Sequence, residues 1–132
     1  PISDGISTVG AIAIVLAGAY PLVHFITKVF KTPLMKVGSL LGIGEVSAAG
    51  MVATLANNIP MFGMLKDMDD RGKVVNVAFS VSAAFVFGDH LGFVAGVDKD
   101  TILAMIVGKL IAGATAVALA CLITPKSKVL ND

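Results

Sequence analysis

The chain has 132 residues, 56% of them hydrophobic and only 14% charged, with a formal net charge of +1. Soluble domains run near 45–50% apolar and about 25% charged, so this composition is that of a membrane chain, and its charge balance excludes a strongly basic nucleic-acid binder. The single cysteine, Cys121, excludes an internal disulfide framework and a cysteine-built metal site.

The apolar residues fall into four segments. Segment A, about Ile6 to Phe30, carries the run VGAIAIVLAGAYPLVHFI. Pro21 should kink it, because proline lacks an N–H and clashes with the preceding turn. Tyr20 and His24 lie one helical turn apart, where an interfacial belt would sit. Lys28, Lys31 and Lys36 then mark a cytoplasmic loop by the positive-inside rule.

Segment B, about Thr32 to Leu65, is too long for one perpendicular helix. Its centre, Leu41 to Pro60, reads LGIGEVSAAGMVATLANNIP and is the most informative stretch of the chain. Glycines flank Ile43, Glu45 follows at once, and Asn57 and Asn58 precede Ile59-Pro60. A charge, exposed backbone and a break are what a membrane helix needs in order to hold a polar solute. Gly38 and Gly42 form a GxxxG step suited to close helix contact. The loop from Lys66 to Lys73 holds three bases and three acids, and is expected to be cytoplasmic. Two successive inside loops would make B a re-entrant hairpin; a single broken span is the alternative.

Segment C, about Val74 to Gly96, is expected to be one helix. Ser80, Ala84, Gly88, Gly92 and Gly96 recur every fourth residue as a small-residue ridge. On a neighbouring face Phe85, Asp89 and Phe93 recur at the same interval, with Ser82 near Phe85, so a carboxylate stands between two rings. Segment D, about Thr101 to Ile123, carries a second ridge at Ala112, Ala116 and Ala120, with Gly108 one step earlier. Pro125 stops it, and Lys126 and Lys128 place the C-terminal end inside. If C and D form a hairpin about Asp98-Lys99-Asp100, Asp89 and Lys109 each lie about 10–12 Å from the turn and could pair.

Glu45, Asp89, His90 and Lys109 are therefore the ionisable set within the apolar segments. Each costs about 2.5–3.5 kcal/mol at mid-bilayer on insertion scales and should face protein or water with a partner. Asp89 has two readings, an ion pair with Lys109 that ties C to D or a contact to substrate. His90 is read as a structural hydrogen-bonding group or a proton relay. Asn57 and Asn58 are read as helix caps or as amide groups for a hydroxyl ligand. There is no GxSxG, HExxH, P-loop or dinucleotide fingerprint, so no enzymatic chemistry and no cofactor are expected.

The stretch from Gly44 to Phe93, GEVSAAGMVATLANNIPMFGMLKDMDDRGKVVNVAFSVSAAFVFGDHLGF, resembles the bacterial ethanolamine utilisation transporters. Members of that family are longer, so residues 1–132 are expected to be the C-terminal part of one transmembrane transporter domain. The resemblance implies a multi-pass inner-membrane permease that brings in ethanolamine for catabolism, with the lipid bilayer and the remainder of the same chain around it and self-association left open. The expected architecture is an all-α polytopic bundle with broken or re-entrant helices. Ethanolamine is a small ammonium with one hydroxyl, and recognising it needs a carboxylate, aromatic faces and an amide or hydroxyl. Glu45 or Asp89, Phe85 or Phe93, and Asn57, Asn58 or Ser82 offer these groups, with His90 and Lys109 as relay or ion-pair residues. The alternatives are a carrier of another solute such as a nucleoside, or a structural subunit of a membrane complex.

Overall fold

The computed structural model describes residues 2–126, and among them every regular element is helical. Seven α-helices follow in order: α1 Ile2–Val29, α2 Lys31–Leu41, α3 Glu45–Ala56, α4 Asn58–Met64, α5 Asp70–Ala83, α6 Asp89–Val97 and α7 Ile102–Ile123. Single 3-10 turns at Leu65–Asp67 and Lys99–Thr101 lead into the loop before α5 and into α7. Among the described residues, Lys99–Ile123 is long and apolar enough to cross a membrane by itself.

Segment A is one helix, and Pro21 lies inside it without interrupting it. His24 is exposed; the Tyr20 side chain and Lys128 lie outside the described residues. Segment B breaks at both expected places. Gly42 takes the left-handed conformation (φ 68°), its N–H donates to Ser39 O (3.3 Å), and the Ile43 N–H donates to Gly38 O (2.8 Å). Those two bonds satisfy the last carbonyls of α2 and end the helix. Gly38 and Gly42 thus build a helix stop, not the helix–helix GxxxG contact their spacing suggests. Beyond the stop, α3 leaves at 105° to α2.

At its far end α3 stops at Asn57, whose side-chain oxygen accepts from the Ile59 N–H (2.8 Å) and caps α4. The following chain comes back to the start of α3: the Gly44 N–H reaches the Asp69 carboxylate at 2.7 Å. Residues 44–69 therefore form a closed hairpin, with Asn57 at its tip.

Segment C departs from expectation. It is two helices, because residues 84–88 leave the helical path and Phe85 takes a left-handed backbone (φ 63°). The small-residue ridge is consequently not continuous. Gly92 and Gly96 face open space, as does Gly108 in α7. The tight contact between α5 and α7 is at Gly113, where a Cβ would stand 2.7 Å from the Ala83 Cβ and 2.9 Å from the Phe79 ring. Val75, Phe79 and Ala83 of α5 bury against Val117 and Ala120 of α7, with Ile43 from the α2–α3 break beneath them. The opposite side of α7 leaves Leu103, Val107, Ile111, Leu119 and Leu122 exposed, an apolar stripe that a bilayer or further helices would accept without cost.

Candidate functional site: two helix breaks in contact

The two interruptions in the middle of the molecule meet. The last turn of α3 leaves carbonyls with no helical partner, and the α5–α6 break supplies N–H groups to them. Phe85 N–H donates to Thr54 O (3.1 Å) and Phe87 N–H donates to Leu55 O (2.9 Å). The Ala53 carbonyl takes the Asn57 N–H (2.9 Å). One residue further on, the Gly88 α-carbon lies so close to the Ala56 carbonyl that a side chain there would overlap its oxygen. Only glycine allows this approach. A bulky residue held in the left-handed region costs about 1–3 kcal/mol, and Phe85 is held there by the bond to Thr54.

This joint assembles a polar group from distant sequence. Asn57 and Asn58 follow Ala56 directly, and Asp89 follows Gly88 as the first residue of α6. A carboxylate at that position is favoured by the helix dipole. The Phe85 ring stands 5.3 Å from the His90 ring, tilted by 51°. Asp89 and His90 are exposed in this chain, and Asn58, Ser82 and Phe85 are half-buried. Asn57 is buried, with its oxygen spent on the cap.

The opposite end of the hairpin is organised by two charges in the Lys66–Lys73 loop. Asp69 Oδ1 accepts from Gly44 N–H (2.7 Å) and Ser47 Oγ (2.6 Å), while Oδ2 accepts from Gly72 N–H (2.9 Å). One carboxylate so caps α5 and ties the N-terminal end of α3 to it. Arg71, itself buried, donates from Nε to Leu41 O (2.9 Å) and from Nη1 to Cys121 O (3.2 Å) and Thr124 O. It caps the C-terminal ends of α2 and α7. Both assignments follow the dipole, an anion at two positive ends and a cation at two negative ends. Beside them Asn76, fully buried, donates to Ser47 O (2.8 Å) and Gly72 O (2.9 Å) and joins α3 to α5.

The ethanolamine utilisation protein family model, EutH, matches residues 1–123. The chain belongs to the EutH family. It is 72% identical over 118 residues to a Listeria monocytogenes protein named "Probable ethanolamine permease EutH", covering 89% of this chain and 32% of that protein. Proteins of the same name from Salmonella typhimurium and Escherichia coli are 60% and 59% identical over 121 residues, covering 92% of this chain and 30% of each. The chain thus spans about a third of the length of these relatives, and corresponds to their C-terminal part. No solved structure matches it significantly.

Set against this family frame, the residues singled out by sequence divide into two places. Asn57, Asn58, Phe85, Asp89 and His90 come together at the joint, with Ser82 on the last turn of α5 leading into it. Phe93, one turn into α6, is 70% exposed and no longer continues a helix that contains Phe85. Glu45 stands at the other end of α3, about 17 Å away along the helix axis. It lines a cleft of about 370 Å³ with Met35, Ser39 and Gly42. One small solute cannot touch Glu45 and Asp89 together.

The ion pair with Lys109, one of the two readings of Asp89, is not formed among the described residues. Lys73–Asp70 (3.2 Å) is a salt bridge of the described residues; Asp89–Lys109 is not. The break at 84–88 lies before Asp89, and α6 runs unbroken from Asp89 to Val97, so the hairpin spacing stands and the two side chains nonetheless do not close to a salt bridge. Asp69, Arg71 and Asn76 carry no comparable signal in the sequence: the first two read as topogenic loop charges, and no period places the third on the α3 side of α5.

Proposed function

We propose that this chain is the C-terminal part of a multi-pass inner-membrane carrier that imports ethanolamine as its ammonium cation for use in catabolism. The observation that carries this reading is the contact between two helix breaks with an acid, an aromatic ring and an amide beside it. Discontinuous helices meeting near mid-membrane are how many secondary transporters hold small polar solutes, because the breaks free backbone groups and aim helix ends at the ligand. Membership of the family and the printed names of its relatives supply the solute class.

In this reading Asp89 takes the ammonium, as the carboxylate nearest the joint. Phe85 offers its ring to the cation, with His90 packed behind it. Asn58 and Ser82 serve the hydroxyl better than Asn57, whose side-chain oxygen is already engaged. Phe93 closes the lipid side when the rest of the bundle is present. Glu45 and its cleft form a second station near the Asp69–Arg71 end, towards which an ammonium leaving Asp89 would move. Residues 44–69 enter and leave at that same end, so they form a re-entrant hairpin within a polytopic bundle. The 28 residues of α1, about 42 Å long, are sufficient for another crossing of a hydrocarbon core about 30 Å thick. Lys126 lies at the Asp69–Arg71 end together with the C-terminus of α7, which makes that end cytoplasmic.

Uptake of labelled ethanolamine into proteoliposomes holding the intact membrane protein tests the reading. Unlabelled ethanolamine should compete and a nucleoside should not. Competition by the nucleoside and none by ethanolamine would replace the solute.

A further inference from the structure

We infer that the main-chain carbonyl of Ala56 is a direct ligand of the ammonium, beside Asp89, and that it sets the preference for a primary ammonium over N-methylated ones. The inference rests on the ethanolamine reading above and assigns a binding atom that no side-chain comparison would find.

The Ala56 oxygen is left over by the local sequence. A helix of ordinary course would give it the N–H of the residue four positions on, but the chain turns extended at Asn57 (φ −160°, ψ 136°), and residue 60 is a proline with no N–H. The Ile59 N–H, next in reach, goes to the Asn57 side chain (2.8 Å). The neighbouring carbonyls of the same turn are all taken: Ala53 by Asn57, Thr54 by Phe85, Leu55 by Phe87. Ala56 alone keeps a free acceptor, at the end of α3 where the helix dipole is negative.

Its position matches its chemistry. The oxygen rests against the Gly88 α-carbon, one residue from Asp89. A primary ammonium has three N–H donors, more than a single carboxylate commonly uses. The carbonyl accepts another. Each N-methyl group removes one donor and enlarges the head, while leaving the charge and the hydroxyl as they were. A site with only Asp89 and aromatic faces would tolerate such methylation; a site with a fixed carbonyl acceptor would not.

Gly88→Ala tests this, because its methyl group would overlap the Ala56 oxygen and so forces the carbonyl away from Asp89. Binding of ethanolamine, N-methylethanolamine, N,N-dimethylethanolamine and choline is measured on the intact membrane protein. In the wild type, affinity should fall stepwise along the series, by about tenfold or more in all, the loss expected for a hydrogen bond to a charged group. In Gly88→Ala, ethanolamine should weaken by about tenfold while choline is unchanged, so that the series flattens. The wild-type series carries the test if Gly88→Ala does not fold. A wild type that binds ethanolamine and choline equally, or a folded Gly88→Ala protein with the wild-type profile, overturns the assignment alone. A wild type that binds none of the four overturns the ethanolamine reading and this inference with it.

Discussion

The two ends of the α3–α4 hairpin are built on opposite plans. At the Asp69–Arg71 end, every charge of the anchor is spent: Asp69 holds three donors, Arg71 three carbonyls, and four helix ends are satisfied. At the Asn57 end the two breaks are joined to each other by backbone bonds alone, Phe85 is held in a strained conformation, and Asp89 faces outward. Charges that are already committed to helix ends hold a structure; a carboxylate beside backbone breaks and an aromatic ring is available for a ligand. In the proposed reading that difference separates scaffold from site, in a region where composition makes every acid look equally exceptional.

The largest expected effect lies on the scaffold side. Arg71→Met strands the carbonyls of Leu41, Cys121 and Thr124, and each unsatisfied buried acceptor costs about 1–3 kcal/mol. Its thermal unfolding in detergent should shift far below that of the wild type, with little folded protein recovered. Asp69→Ala should act similarly, since it removes the N-cap of α5, worth about 1 kcal/mol, together with the bonds to Gly44 N–H and Ser47 Oγ. A wild-type melting curve for either variant would break the comparison at its scaffold end.

Next come the site residues. The double variant Asp89→Asn/Lys109→Met should bind ethanolamine no better than Asp89→Asn, because the two side chains form no salt bridge and residues without a shared contact add independently. Restored binding in the double variant would reinstate the ion pair. Glu45→Gln should slow uptake severalfold with a smaller change in binding affinity, as expected of a station about 17 Å from the first one. A loss of equilibrium binding as large as that of Asp89→Asn would move the site to the Glu45 cleft.

The smallest effect sharpens the comparison best. Phe85→Gly should stabilise the fold by up to about 1 kcal/mol through relief of the left-handed strain, less the packing that the ring supplies. The same change should weaken ethanolamine binding by about 0.5–2 kcal/mol through loss of the ring. Stability and affinity moving in opposite directions is the signature of strain kept for function, read by melting temperature and by titration of one preparation.

Much of this was legible in the sequence. The breaks at Gly42–Gly44 and Asn57 were visible because glycine pairs and an Asn-Asn-Ile-Pro run have few other uses in an apolar stretch. The α7 helix was visible from length and hydropathy alone. The break at 84–88 was not, because Ala84, Phe85, Val86 and Phe87 contain neither glycine nor proline, and Gly88 falls in the four-residue series of small residues that reads as a helix ridge. That break is imposed by tertiary bonds to Thr54 and Leu55, which no local pattern encodes. The regular four-residue spacing of small residues therefore pointed to a ridge that the folded chain does not have. Asp69 and Arg71 were hidden for a related reason. A charged loop between apolar helices reads as a solvent loop unless the helix ends that surround it are known.

The central claim is that Asp89 binds the substrate cation and does not hold the fold. Ethanolamine uptake and melting temperature, measured on the same reconstituted preparation of Asp89→Asn, test it most directly. The account predicts a wild-type melting temperature with uptake reduced about 10–100-fold, the range expected for losing a charge-assisted contact. Wild-type uptake by Asp89→Asn, or a collapse of its melting temperature in step with uptake, would contradict it.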